Sequence, residues 1–264
     1  MNELGLDISR HQGTVIDWDK VASSGVKFLY IKCSQGTDHK DPNFEANIVN
    51  AKKVGIKVGP YHFTTTGNAL DQYNWFVYCM GGTEFDLVPA LDCEYYSGYG
   101  DNLRPILQFR YNNPPLSIRI SGAINTYSIT TQEIVDSIGR RLTNWITTKP
   151  KLKDFIFPTI YTNVSSGNRI FTKTIMNRYP LWVAHWHGPS VRLTKPTLPR
   201  IWKDKDWYIW QDEVVDGDKY GFPSKVDHDI WGKLFEFPGE EKDYFNVIGK
   251  TSNNLNVAGR IEIL

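Results

Sequence analysis

Two short stretches of this chain each hold two acids separated by one residue: Asp92 and Glu94 in "PALDCE", and Asp227 and Asp229 in "VDHDIW". Each acid pair belongs to a run that reads as a β-strand, and strand side chains alternate faces, so the two acids of each pair point the same way. Leu91 and Cys93 then occupy the opposite, apolar face of the first run. A fifth acid, Asp7, stands near the end of "LGLDIS". One acid at a strand end has ordinary uses, such as capping a helix or accepting from loop amides. Five aimed at one rim, with no matching excess of Lys or Arg in the same motifs, cost folding energy unless a reaction or a cation offsets them.

Two chemistries use such a cluster. In glycoside hydrolysis one carboxyl stays protonated as the acid and another stays ionised beside an oxocarbenium-like centre. In a divalent metal site, hard oxygen ligands suit Mg²⁺ or Ca²⁺, and added histidine would suit Zn²⁺. The pair His185 and His187 in "LWVAHW" brings in the metal reading. Alternation weakens it, because if Trp182, Ala184 and Trp186 face inward, both histidines face away from the acids. The expectation is therefore a site with no metal and no other cofactor. Aromatic residues make up 14% of the chain, and Tyr61, Tyr161, Trp182, Trp186 and Trp210 all fall at or near strand ends. Rings there can stack on the C–H faces of sugars; the alternative is that they fill a core, a role weighed evenly for Trp182.

These acids need a scaffold that brings several strand ends together. Strands are expected at 4–9, 27–34, 57–64, 87–94 and 157–163, separated by helical stretches such as "DWDKVASSG", "PNFEANIVNAKKVG" and "ALDQYNWFVYCMGG". A further helix is expected from Thr130, with Glu133 three residues on as a capping box. Beyond residue 180 come strands at 181–186, 206–212 and 226–231 with little helical periodicity between them. Such alternation argues for parallel strands with crossover helices. Eight strands, five of them followed by helical stretches, fit an α/β barrel of TIM type better than an open sheet with two unprotected edges. The expected catalytic domain spans 1–235. It carries an inserted hairpin flap at 95–129, where "ILQFRY" and "LSIRI" flank a turn, and is followed by an accessory hairpin or tail at 236–264.

Composition excludes several partners. The 264 residues carry a net charge of +1, which gives no field to draw nucleic acid or an anionic membrane. No apolar run reaches the roughly 18 residues of a membrane span, and "MNELGLDIS" lacks the basic and apolar regions of a secretion signal. Cys33, Cys79 and Cys93 have no metal-ligand spacing and read as small buried hydrophobes, not a disulfide framework.

Taken together and in order, "GLDISRHQGTVIDW", "VGPYHF", "ALDCE", "IYTN", "LWVAHW", "WQDE" and "VDHDIW" resemble the motifs of family 25 glycoside hydrolases, the Chalaropsis-type lysozymes that include many phage endolysins. The resemblance runs from about residue 4 to 232, outside 95–129. It implies a β/α barrel with five β/α units and three further strands. It also implies metal-free cleavage of the β-1,4 bond between N-acetylmuramic acid and N-acetylglucosamine in bacterial peptidoglycan. In that pattern Glu94 matches the proton donor, Asp92 its partner acid, and Asp7 and Asp227 the supporting acids. Tyr61 and Gln211 match a tyrosine and a glutamine of the cleft, and Tyr161, Trp182, Trp186 and Asp229 complete the expected substrate contacts. Three positions depart from the pattern: Asp229 stands where the family motif has Asn, Trp231 where it has Phe, and Trp186 where it has Tyr. The implied setting is the cell wall, reached by an endolysin at host lysis or by a secreted enzyme. The rivals are a metal-dependent barrel hydrolase using Asp7, Asp92 and His185, and a non-catalytic glycan-binding protein on the same fold.

Overall fold

A computed structural model describes residues 3–65, 68–94, 122–149, 152, 157–171, 178–187, 193–203 and 207–232, the backbone alone for 122–133. Its strands are β1 (Leu4–Ile8), β2 (Phe28–Gln35), β3 (His39–Lys40), β4 (Lys57–Phe63), β5 (Ala90–Asp92), β6 (Thr159–Asn163), β7 (Leu181–Ala184), β8 (Ile209–Val215) and β9 (Val226–Trp231). The helices are α1 (Trp18–Ser23), α2 (Phe44–Lys53), α3 (Ala69–Met80), α4 (Gly122–Thr147) and α5 (Val164–Ile170). All eight expected strands form. The order β1-β2-β4-β5-β6-β7-β8-β9 closes through a β1–β9 pairing, and β3 is a short addition to β2. Closure leaves the ring without the free edges an open sheet would have to protect.

The pairing is parallel from β1 through β2, β4, β5, β6 and β7 to β8. β9 alone reverses, running antiparallel to both β8 and β1. The link from β8 to β9 has only a four-residue 3-10 turn, Gly217–Tyr220, and so short a connection can return the chain only antiparallel.

Local sequence explains most boundaries. Asp17 caps α1 by accepting from the Lys20 amide, Asn68 caps α3 through the amides of Leu70 and Asp71, and Asn163 caps α5 through that of Ser166. The capping box expected at Thr130 and Glu133 does not start a helix. α4 is already helical at Gly122, so both residues lie within it and residues 122–129 are not part of a hairpin. From 123 to 138 the chain has neither Gly nor Pro, so nothing stops the helix propagating through that motif. In its described part, Val135, Ile138, Leu142 and Ile146 are buried at helical spacing. The remainder of the expected flap, 95–121, and the tail 236–264 lie outside the described residues.

The barrel interior below the cleft is aromatic. Tyr30 and Trp182 lie 4.7 Å apart, Tyr161 meets Trp182 edge-on at 4.9 Å, and Phe28 meets Trp231 at 5.3 Å. Gly5 and Gly59 make room for them: a β-carbon at Gly5 would lie 2.1 Å from the Phe28 ring, and one at Gly59 would lie 2.8 Å from that of Tyr30. The outward faces carry Leu6, Ile8, Leu29, Ile31, Leu91 and Cys93, all buried beneath the surrounding layer. The three cysteines are free and buried. No described helix is long and apolar enough to cross a membrane.

Candidate active site

The C-terminal ends of the parallel strands surround a cleft of about 280 Å³. Asp7, Asp92, Glu94 and Asp227 line it together with Tyr61, Tyr161, Trp182, Trp186 and Gln211. Nine of the ten expected site residues therefore meet in one depression. β5 supplies the acid pair: Asp92 is its last residue and Glu94 lies just beyond, less buried. The backbone between them is held from both sides. Thr64 donates its amide (2.9 Å) and hydroxyl (2.8 Å) to the Asp92 carbonyl, and the Thr162 hydroxyl donates to the Cys93 carbonyl at 2.8 Å. Those bonds fix where the Glu94 side chain begins.

Gln211 connects the opposite wall. Its Oε1 accepts from the Tyr161 hydroxyl at 2.9 Å and the Trp186 indole at 2.8 Å, while its Nε2 donates to Asp7 Oδ2 at 2.7 Å. One amide thus orients two aromatic walls and one acid, which a carboxylate at that position could not do because it has no donor. Trp186 is 59% exposed, so a large apolar ring stands in solvent beside four carboxyls. Trp182 contributes mainly the floor and is almost wholly buried. Trp210, also at a strand end, faces the other way: alternation sends Gln211 inward and Trp210 outward, where its indole donates to the His185 carbonyl.

Asp229 corrects the expectation that five acids share one rim. It is fully buried, does not line the cleft, and accepts from the Trp182 indole at 2.9 Å. The reason is strand direction. Because β9 is antiparallel, its start reaches the rim, so Asp227 is beside the cleft and Asp229 is two residues deeper. His185 and His187 also lie outside the cleft lining. His185 Nδ1 accepts from the Thr197 amide at 3.0 Å, and His187 lies 3.6 Å from Asp212.

The cleft opposes ionisation of its acids. Burial, then the charge of Asp227, pushes Asp7 well above the usual carboxylate range, while the Gln211 amide holds it down. Burial and then Glu94 push Asp92 up, opposed by Lys32. Asp227 rises to about 6 through burial and Glu94. Burial likewise raises the phenols of Tyr61 and Tyr161, which stay protonated donors.

Sequence reasoning missed Ser9, His11, Gln12, Lys32 and Phe63, which complete the lining. Lys32 carried a legible signal: it interrupts the apolar run "FLYIKCS" on the same face as Tyr30, where a cation is costly to bury without anions nearby. Its ammonium sits 4.9 Å from the Phe63 ring centroid and donates to Gln35 at 3.0 Å. Ser9, His11 and Gln12 sit on a capped turn after β1 that only the tertiary fold brings to the rim.

The fold and cleft define a class of protein: a β/α barrel with an acid pair at a strand end and aromatic walls around it. The model for glycosyl hydrolases family 25 matches residues 6–214, and the chain belongs to that family. It is 31% identical over 214 residues to Lysozyme M1 of Streptomyces globisporus, covering 78% of this chain and 60% of that protein. It is 26% identical over 147 residues to the autolytic lysozyme of Clostridium acetobutylicum, covering 54% of this chain and 44% of that one. The chain thus spans about half of the length of these two relatives. The crystal structure of the bacterial lysozyme from Streptomyces coelicolor has the same fold, with a TM-score of 0.64 at 24% identity, over 97% of this chain and 99% of that one.

Proposed function

We propose that this chain is a muramidase that hydrolyses the β-1,4 bond from N-acetylmuramic acid to N-acetylglucosamine in bacterial peptidoglycan. The observation that carries the reading is that Asp92 and Glu94 open on one aromatic-walled cleft shared with Asp7 and Asp227. The names of its relatives, Lysozyme M1 and autolytic lysozyme, point the same way.

In this reading Glu94, the outermost acid of the pair, protonates the glycosidic oxygen as the C–O bond breaks. Asp92, deeper and beside Lys32, faces the anomeric centre. It works ionised, either steadying positive charge there or orienting the substrate's own N-acetyl group. Burial and Glu94 favour its neutral form; positive charge developing in the transition state favours the anion, so the stabilisation appears where it lowers the barrier. Asp7 and Asp227 hold sugar hydroxyls or amides, Tyr61 and Tyr161 donate from their phenols, and Trp186 stacks on a sugar face. Lys32 supplies a positive charge among Asp7, Asp92 and Asp227, which favours direct carboxyl chemistry over a metal site.

The barrel within 1–235 is the catalytic unit in this proposal, and 236–264 are accessory to it. The site of action is the cell wall. Incubation with purified peptidoglycan tests the reading: new reducing ends of N-acetylmuramic acid are expected. Reducing N-acetylglucosamine ends, or free amines without new reducing ends, would replace it with a glucosaminidase or an amide hydrolase.

A further inference from the structure

Asp229 is the acid that the proposed reaction leaves without a task. It is fully buried beneath the cleft floor. Its Oδ1 accepts from the Trp182 indole, and among the described residues its Oδ2 has no hydrogen-bond partner although no solvent reaches it. Buried polar atoms are nearly always paired, so an orphan oxygen needs an explanation. The groups around it are themselves acids. Asp7 comes from β1, Asp227 from the start of the same strand, and Asp212 from β8, while among the described residues Trp182 on β7 is the one donor. In the β1–β9 register Asp227 faces Asp7 and Asp229 faces Gly5, so Asp229 is the diagonal neighbour of Asp7 on the inner face, where a proton on either carboxyl can bond the other.

Two ionised carboxylates in contact, out of water, would repel each other and leave the Oδ2 lone pairs unmatched. A single proton removes both difficulties, because it turns an acceptor–acceptor contact into an O–H···O⁻ hydrogen bond. We propose that Asp229 is a permanently protonated positioning residue whose carboxylic acid donates to Asp7 and, with Gln211, aims the Asp7 carboxylate at the substrate.

The proton belongs on Asp229 and not on Asp7 because their surroundings differ. Asp7 borders the cleft, where water or a sugar hydroxyl can solvate its charge, and it accepts a 2.7 Å bond from Gln211. Asp229 has no solvent and, among the described residues, no second donor. Burial and then neighbouring acids raise both carboxyls; on Asp7 the Gln211 amide and the contact with Asp229 oppose that rise and favour its anion, whereas on Asp229 the Trp182 indole alone among the described residues does so. Asp7 would thus sit between two donors fixed on β8 and β9, its free lone pairs turned to the cleft. The same neutral acid anchors Trp182, which supports both Tyr30 and Tyr161, so one side chain sets the height of the floor and the aim of an acid above it.

The inference rests on the muramidase reading for Asp7's task, and its test has one readout that needs no turnover. In protein labelled with ¹³C at aspartate carboxyls, the Asp229 resonance, identified by its disappearance in Asp229→Asn, should have the shift of a carboxylic acid and stay constant across neutral pH. Should that variant fail to fold, the resonance can be assigned through its through-bond link to the residue's own amide. A carboxylate shift for Asp229 at neutral pH would overturn the proposal whether or not peptidoglycan is cleaved. In kinetics, Asp229→Asn keeps a donor toward Asp7 and should hold kcat within about threefold of the parent, whereas Asp229→Leu, folded, should lose about 10–100-fold, the range expected for a hydrogen bond to a charged group. A fall in Asp229→Asn as large as in Asp229→Leu would show that the negative charge is what matters, and would also overturn the proposal.

Discussion

The strands β5 and β9 carry the same short pattern, acid–residue–acid, and put it to opposite uses. In "LDCE" the strand runs toward the rim, so the second acid, Glu94, is outermost and Asp92 lies beneath it. In "VDHD" the strand runs away from the rim, so the first acid, Asp227, lines the cleft and the second, Asp229, is sealed under the floor. Alternation places both acids of each pair on the inner face; direction alone decides which one meets solvent. Identical spacing therefore yields two reacting-depth acids on one strand, and one cleft acid plus one buried acid on the other.

The comparison can be broken most decisively at its outermost acid. Glu94→Gln should reduce kcat by about 10²–10⁴-fold, since an amide cannot deliver the proton, while binding of a peptidoglycan oligomer persists. Retention of more than about a tenth of the rate would remove Glu94 from the role of acid. The same substitution removes the charge that, after burial, does most to raise Asp92. Asp92 should therefore ionise at lower pH in Glu94→Gln than in the parent, readable by carboxyl NMR, and an unchanged midpoint would mean the two acids of β5 do not sense each other.

Lys32 sharpens the contrast from the other side, because it holds down Asp92, whereas burial and other acids are the largest influences on Asp229. In Lys32→Met the ionised form of Asp92 loses its cation, so its pKa rises further. Activity that needs the Asp92 anion should then have its acidic limb displaced to higher pH, by about one unit or more for a partly buried pair. A profile of kcat against pH that superimposes on the parent's would exclude Lys32 from that role.

Asp227 tests the cleft acid of β9 through stability. Its folded value is about 6 against an ordinary value of 3.8. A raised carboxyl binds its proton more tightly when folded, so its contribution is fully present below about pH 4 and is lost as pH rises through about 6. The loss is at most on the order of 3 kcal/mol, less what solvent at the rim screens. Asp227→Asn should flatten the fall in thermal stability over that interval, and a difference between variant and parent that does not change with pH would refute the assignment. The smallest effect is expected at Trp186. Removing its exposed ring in Trp186→Ala should weaken oligomer binding about threefold to tenfold with the melting temperature nearly unchanged; equal affinities in parent and variant would show that no sugar stacks there.

Much of the molecule could be read from the chain itself. Apolar runs, helix caps and the alternation of βα units gave eight strands in the right places, because those signals are local and act over a few residues. The four acids of the cleft were legible for the same reason: each ends or begins a run whose parity assigns its face. Three things depended on distance in space. The antiparallel return of β9, fixed by a short link and by closure against β1, buried Asp229 where a parallel strand would have left Asp227 the deeper of the two. Packing brought the turn of Ser9, His11 and Gln12, together with Lys32 and Phe63, to a rim that no spacing in the chain reveals. And the charges of the acids were set by neighbours 204 residues away in the chain, as when Gln211 donates to Asp7, since burial and Coulomb interactions depend on distances that exist only once the barrel has closed.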